Sequence, residues 1–188
     1  VSRDWSSDVC SSDLYSGTIA QEILRLPGDS SLESIRAALS PLGLAVSVPL
    51  GFNDGYALGV SSSVAERLGL KRISDLGTQP SLRFGLSHEF LGRPDGWKGL
   101  AKAYGFEKRL PVALDHGLAY EALATGRIDV MDLYTTDAKI ARYGVRTLVD
   151  DRHFFPRYDA LLLHRADVPS RFPAQWQRIA ALEGKLDE

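Results

Sequence analysis

From Tyr15 onward, the apolar positions of the chain switch repeatedly between a spacing near 3.6 and a spacing near 2. Residues 18–26 follow the helical period and run into Pro27 and Gly28, a stop signal. Ser30 or Ser31 stands where it can cap a second helix reaching Leu39, with Glu33 near the capping-box position. Valines at alternate positions predict a strand over 44–50, the apolar run 57–60 predicts another, and 61–70 reads as a short helix ending near Gly69. Strands are then expected over 82–86, 110–114, 128–133 and 145–149. Helices are expected over 97–104, 117–124 and 135–143, with Gly105, Gly126 and Gly144 at their ends. Residues 158–164 are almost wholly apolar, as in a strand buried on both faces. Residues 173–182 form an amphipathic pattern opened by Pro173. This alternation predicts an α/β fold with mainly parallel sheet.

Two stretches fall outside the pattern. Residues 1–14, VSRDWSSDVCSSDL, have neither period nor the apolar core of an export signal. They resemble a translated sequencing-adapter read, so Trp5 and Cys10 are excluded from the functional reading. Residues 183–188 show no capping or packing pattern, and the chain reads as truncated at both ends.

Composition narrows the classes. A length of 188 residues, 44% of them hydrophobic and 24% charged, suits one domain or two small lobes with a packed core. The net charge of -2, with both signs interspersed and no basic stripe, argues against nucleic acid as the main partner. No apolar run approaches the ~20 residues that span a bilayer. Cys10 is the only cysteine, so no disulfide forms within the chain. No metal site is expected, because His88 has no second histidine at ligand spacing. The chain also lacks the serine elbow of the α/β hydrolases and the G-K-[ST] ending of a phosphate loop.

Candidate chemistry concentrates at the ends of predicted elements. Tyr15-Ser-Gly-Thr18, Asn53-Asp-Gly-Tyr56, Asp132-Leu-Tyr134-Thr-Thr-Asp137 and Phe154-Phe-Pro-Arg-Tyr158 each join an aromatic to small or polar neighbours. A fifth segment, Ser87 to Trp97, puts Arg93 in a Pro/Gly-rich loop after a strand. Several aromatic faces suit a quaternary ammonium, which offers no hydrogen-bond donor. Each face within ~6 Å contributes roughly 0.5–1 kcal/mol when exposed and about 2 when desolvated. The planar fork of arginine suits a carboxylate, and a betaine carries both groups. Arg93 is equally a natural partner for Asp95. Tyr104, Tyr120 and Tyr143 sit on helical patterns and read as packing residues, and Asp115 reads as a helix cap. An alternative is an α/β enzyme acting on a small cationic substrate, with His88 and Glu89 as acid and base.

The runs YSGTIAQEIL, LGFNDGYALGV, LSHEFLGRPDGWKGLAKAYGF, DHGLAYEALATGRIDVMDLYTTDAKI and LVDDRHFFPRYDALLLHRAD resemble the osmoprotectant-uptake solute-binding proteins. These form the glycine betaine, choline and carnitine family of type II periplasmic binding proteins of ABC importers. The resemblance implies a two-lobed α/β fold with a double-strand hinge that closes over its ligand. Residues 15–58 would form part of the first lobe, 59–155 the second, and 156–188 the return to the first, with crossings near 56–60 and 155–159. It implies cage walls at Tyr15, Tyr56, Tyr134 and Tyr158, with Asp54 lining the same wall as Tyr56, and a ligand carboxylate held by Arg93 and Thr18. Some relatives add a lysine from an upstream strand that has no counterpart here. A non-catalytic receptor is implied, with no cofactor and no metal. Its small-molecule partner would be a quaternary amine (glycine betaine, choline, carnitine or proline betaine). Its protein partner would be a membrane permease with an ATPase, or a permease fused to the chain. The implied location is the periplasm or the outer face of the cytoplasmic membrane, with the receptor either soluble or lipid-anchored.

Overall fold

Short helices capped by serine or aspartate, and short strands cut by proline and glycine, account for most of the architecture. A computed structural model describes residues 15–27 and 30–186, and the reading of residues 1–14 concerns positions outside that range. The chain divides into two compact units, one holding the described residues up to Asp54 and from Arg157, the other Gly55–Pro156.

The first unit opens with α1 (Ser16–Thr18), which continues without a break into a π-helical segment, Ile19–Ile23. Helix α2 (Leu32–Leu39) starts where the side chain of Ser31 accepts a bond from Ser34 N–H. Strand β1 (Leu44–Val46) follows. In the second unit, β2 (Tyr56–Ser61) leads to α3 (Ser62–Leu68), a 3₁₀ segment (Ile73–Thr78) and β3 (Gly85–Ser87). Next come α4 (His88–Gly92), α5 (Trp97–Tyr104), β4 (Val112–Leu114) and α6 (His116–Ala124). Strand β5 (Val130–Tyr134), α7 (Lys139–Tyr143) and β6 (Val145–Thr147) complete it. The chain then returns to the first unit with β7 (Leu163–Arg165), α8 (Val168–Arg171) and α9 (Pro173–Ala180).

In the first unit, β1 pairs antiparallel with β7. Ile19, Ala20, Ile35, Leu39, Val46 and Leu161 form its buried cluster. In the second, β2 lies between β5 and β6 and pairs antiparallel with both, while β3 and β4 pair parallel. The residues of β2 alternate between faces. Ala57 packs into a cluster with Ala119, Tyr120, Leu123, Met131 and Leu133.

The expected α/β alternation is present, but mainly parallel sheet is not what the named strands show. Parallel pairing is confined to β3 with β4 and to isolated bridges at Arg72–Val149 and Phe84–Val130. Hydrophobic runs record burial, not strand direction, so a strand pairing with two distant antiparallel neighbours looks the same in sequence. The strands expected over 44–50 and 158–164 are also shorter than read. Their facing stretches meet through single bonds, such as Leu50 N–H to Ala160 O at 2.9 Å and Ala160 N–H to Phe52 O at 3.1 Å. Pro49 has no N–H to give, and Gly51 at φ 128° turns the backbone out of ladder geometry. Helix 135–143 shrinks to α7: Thr135 N–H still pairs with Gly55 O at 2.9 Å beside the β2–β5 ladder, and Asp137 N–H closes a turn onto Tyr134 O at 3.1 Å before the helix begins. Residues 183–186 do make contacts, contrary to the sequence reading. Gly184 N–H bonds Pro49 O and Leu186 N–H bonds Leu50 O, each at 3.0 Å.

Candidate functional site

The register of β2 against β5 places Tyr56 directly opposite Tyr134. Cross-strand neighbours on one face interact strongly, and here the rings stand 5.1 Å apart at 41°. Helix α4 brings a carboxylate to both. Tyr56 Oη donates to Glu89 Oε1 at 2.7 Å and Tyr134 Oη donates to Glu89 Oε2 at 2.8 Å. Phe90 and Phe155 add rings 5.2 Å and 6.4 Å from Tyr56, and His116 one 4.9 Å from Tyr134. Burial, with the hydrogen bond to Glu89 adding to it, pushes the Tyr56 phenol far above its ordinary range. Tyr134 is raised in the same direction, again mainly by burial.

What holds α4 in place is a buried carboxylate. Asp132, on the tyrosine face of β5, is 1% exposed and accepts from Ser87 N–H at 2.6 Å and Ser87 Oγ at 2.7 Å. Ser87 Oγ in turn accepts from Phe90 N–H at 3.0 Å, capping α4. Burial raises the Asp132 carboxyl above its usual range, and the two bonds from Ser87 oppose that shift.

Arg93 follows α4. Its Nε and Nη2 reach Asp95 Oδ1 and Oδ2, both at 2.7 Å, in a two-pronged pair. The Arg93 side chain is 9% exposed and that of Asp95 2%. Its Nη1 lies 3.7 Å from Glu89 Oε1, and the guanidinium carbon stands 5.4 Å from the Tyr56 ring centroid. The pairing with Asp95 noted as an alternative in the sequence is therefore present. Tyr56, Tyr134 and Arg93 come together in the second unit, with Glu89 among them.

The first unit holds the other candidates. Tyr15 bridges to Ala160, and its ring meets Phe52 edge-on at 6.4 Å. Burial and the facing carboxylate of Asp54 raise its phenol. Asp54 N–H bonds Tyr158 O at 3.0 Å, and Asn53 Oδ1 accepts from Tyr158 N–H at 2.6 Å. Tyr158, 2% exposed, packs its ring against Gly17: a Cβ there would sit 2.5 Å from Tyr158 Cε1. Glycine in the first motif thus makes room for the tyrosine of the last. Thr18 is buried one turn on from Tyr15.

Sequence reasoning did not assign Glu89, Phe90, Phe155 or His116 to this neighbourhood. The spacing of Glu89 and Arg93, four apart at the end of a helix, was the available signal for the first. As base in the enzymatic alternative, Glu89 was paired with His88, whereas the structure turns its carboxylate to two phenols. Tyr104 and Tyr120 are buried packing residues, as read. Asp115 caps α6 through Gly117 N–H at 2.8 Å. Among the described residues no group of three metal-ligating side chains gathers, and no helix is long and apolar enough to cross a membrane.

Residues 13–188 match the family OpuAC, described as the substrate binding domain of ABC-type glycine betaine transport system. An ergothioneine transport permease/ergothioneine binding protein, EgtU, of Helicobacter pylori is 33% identical over 140 residues, which are 74% of this chain and 25% of that protein. A carnitine transport binding protein, OpuCC, of Listeria monocytogenes is 33% identical over 138 residues, 72% of this chain and 45% of that one. A glycine-betaine-binding protein of Pseudomonas aeruginosa is 32% identical over 161 residues, 79% and 52% respectively. The chain thus spans from a quarter to about half the length of these relatives. A crystal structure of a glycine betaine/carnitine/choline ABC transporter superposes with a TM-score of 0.75 at 29% identity, covering 92% of this chain and 66% of that one. Lactococcal OpuAC, solved closed with glycine betaine, shares the fold with a TM-score of 0.59 at 13% identity, covering 84% and 62%. The fold is the α/β type of the type II periplasmic binding proteins.

Proposed function

Because the chain belongs to the family of substrate-binding domains of ABC-type glycine betaine transport systems, we propose that it captures a quaternary amine for import. Glycine betaine, choline, carnitine and proline betaine are the class in view. The observation that carries this reading is the Tyr56–Tyr134 pair, two rings 5.1 Å apart with both hydroxyls turned to one carboxylate. Such a pair offers aromatic faces to a cation that has no proton to donate, each contributing about 1–2 kcal/mol as water is excluded. In the first unit, Tyr15, Tyr158 and Asp54 are further candidates for ligand contact. Asp95 orients the guanidinium of Arg93 through its Nε and Nη2, and the guanidinium's charge suits a ligand carboxylate; Thr18 is the carboxylate candidate of the first unit. The receptor acts without chemistry on its ligand and delivers it to a membrane permease driven by an ATPase, on the outer side of the cytoplasmic membrane.

A thermal-shift panel tests this. Glycine betaine, choline or carnitine at ~100 times its dissociation constant stabilises the fold by about 2.7 kcal/mol, and free arginine does not. Arg93→Ala weakens glycine betaine more than choline, which has no carboxylate, and Tyr134→Ala weakens both. A flat panel from a folded chain sinks the quaternary-amine reading.

A further inference from the structure

Glu89 has a position that neither a cage of rings nor a carboxylate-binding arginine requires. Its carboxylate takes a hydrogen bond from each of the two facing tyrosines, at 2.7 and 2.8 Å. Its side chain nonetheless remains 49% exposed, so the charge is anchored at the tyrosines without being enclosed. Arg93 is joined to Asp95 by two bonds of 2.7 Å, and its Nη1 lies 3.7 Å from Glu89 Oε1. Glu89 thus brings a negative charge to the tyrosine hydroxyls, while the charge of Arg93 beside it is paired with Asp95. Two phenols donating to one carboxylate also keep the negative charge beside the rings, where their faces already favour cations.

We infer that Glu89 is a specificity-determining residue: its carboxylate is the counter-charge to the ligand's ammonium and biases the site toward net cations over zwitterions. The inference rests on the quaternary-amine reading above and adds a charge filter to it. Choline and glycine betaine carry the same trimethylammonium group. Both are attracted to Glu89 through that group, but the carboxylate of glycine betaine is repelled by the same residue. Removing the charge therefore costs choline more. The effect of Arg93 runs the other way, so the two residues tune the ratio in opposite directions.

Calorimetric titration of the 188-residue chain with choline and with glycine betaine reads this ratio. Glu89→Gln is expected to weaken choline by about tenfold and glycine betaine by no more than about twofold. Glu89→Asp, which keeps the charge but draws it away from the phenols, shifts the ratio in the same direction by less, and serves should the glutamine variant not fold. Equal losses for the two ligands overturn the inference, since Glu89 would then merely position the rings. An unchanged ratio overturns it as well. A wild-type chain that binds neither ligand overturns the quaternary-amine reading itself, an outcome seen before any variant is made.

Discussion

The two units hold their tyrosines by different means. In the second, side chains do it. Asp132 fixes Ser87, Ser87 caps α4, and α4 delivers Glu89 to the hydroxyls of Tyr56 and Tyr134. In the first, the backbone does more of it, alongside Asn53 Oδ1 at Tyr158 N–H. Tyr15 sits in a bridge to Ala160, Ser16 N–H bonds Asp159 O at 2.9 Å, and the ring of Tyr158 rests on the bare Cα of Gly17. A network of side chains can be retuned one residue at a time. An arrangement made by main-chain pairing tolerates side-chain exchange at most positions, but no added bulk where chains touch. The tyrosines of the second unit are therefore the ones expected to carry ligand preference.

The strongest way to break the comparison is Asp132→Ala. It removes a buried acceptor of two bonds and leaves Ser87 N–H and Oγ without that partner, in a place where water is excluded. A loss of about 3 kcal/mol is expected in urea denaturation. Choline affinity should fall by about tenfold or more, because α4 no longer holds Glu89 against the phenols. Asp132→Asn keeps the shape and one acceptor and should cost far less. A binding loss with no loss of stability would mean that Asp132 acts on the ligand directly, not through α4.

Helix ends were legible because their signals are local. Helix α5 occupies the span read from its apolar repeat, and Gly105 beyond it sits at φ 76°, a conformation glycine alone adopts at little cost. Ser31 and Asp115 cap the helices that their types and positions suggested. The motif tyrosines were legible as aromatics at element ends. The partners of those tyrosines were not. Glu89 lies far along the chain from both Tyr56 and Tyr134, and only the β2–β5 register brings their hydroxyls to one place. Strand direction was hidden for the same reason, since a run of valines and leucines reports burial and not the sense of its neighbour. The π-helical turn after Thr18 left no mark in the apolar repeat, which fits either winding about equally well.

A smaller effect is expected from Gly17→Ala, the counterpart test in the first unit. The new Cβ would approach Tyr158 Cε1 to 2.5 Å and Arg157 O to 3.1 Å, so a buried ring and a backbone carbonyl must both give way. Overpacking of this kind costs roughly 1–3 kcal/mol. Both choline and glycine betaine should weaken alike, because a ring is displaced and no charge changes. A shift in their ratio would place ligand preference in the first unit too, against the distinction drawn above.

The smallest effect, and the control for the rest, comes from a side-chain pair in the second unit at the start of β5, its aspartate five residues before Tyr134. Arg83 binds Asp129 through Nε at 2.8 Å and Nη2 at 3.0 Å, and its Nη2 also bonds Gly126 O at 2.7 Å. The hydrogen bond from Arg83 is the first cause holding the Asp129 carboxyl below its ordinary range, against a partial opposing push from burial. A carboxyl lowered on folding stabilises above its unfolded pKa, and that contribution is lost as pH falls through the folded one. Arg83→Ala should therefore lower stability slightly near neutral pH, with the difference from wild type shrinking as pH falls through the carboxylate range, and the effect stays small because the Arg83 side chain is exposed and screened. The Kd for choline and for glycine betaine should stay where they are. If Arg83→Ala shifts their ratio toward choline, opposite in sense to Glu89→Gln, preference belongs to the charge of the whole unit, and the tyrosine-bound carboxylate loses its special place.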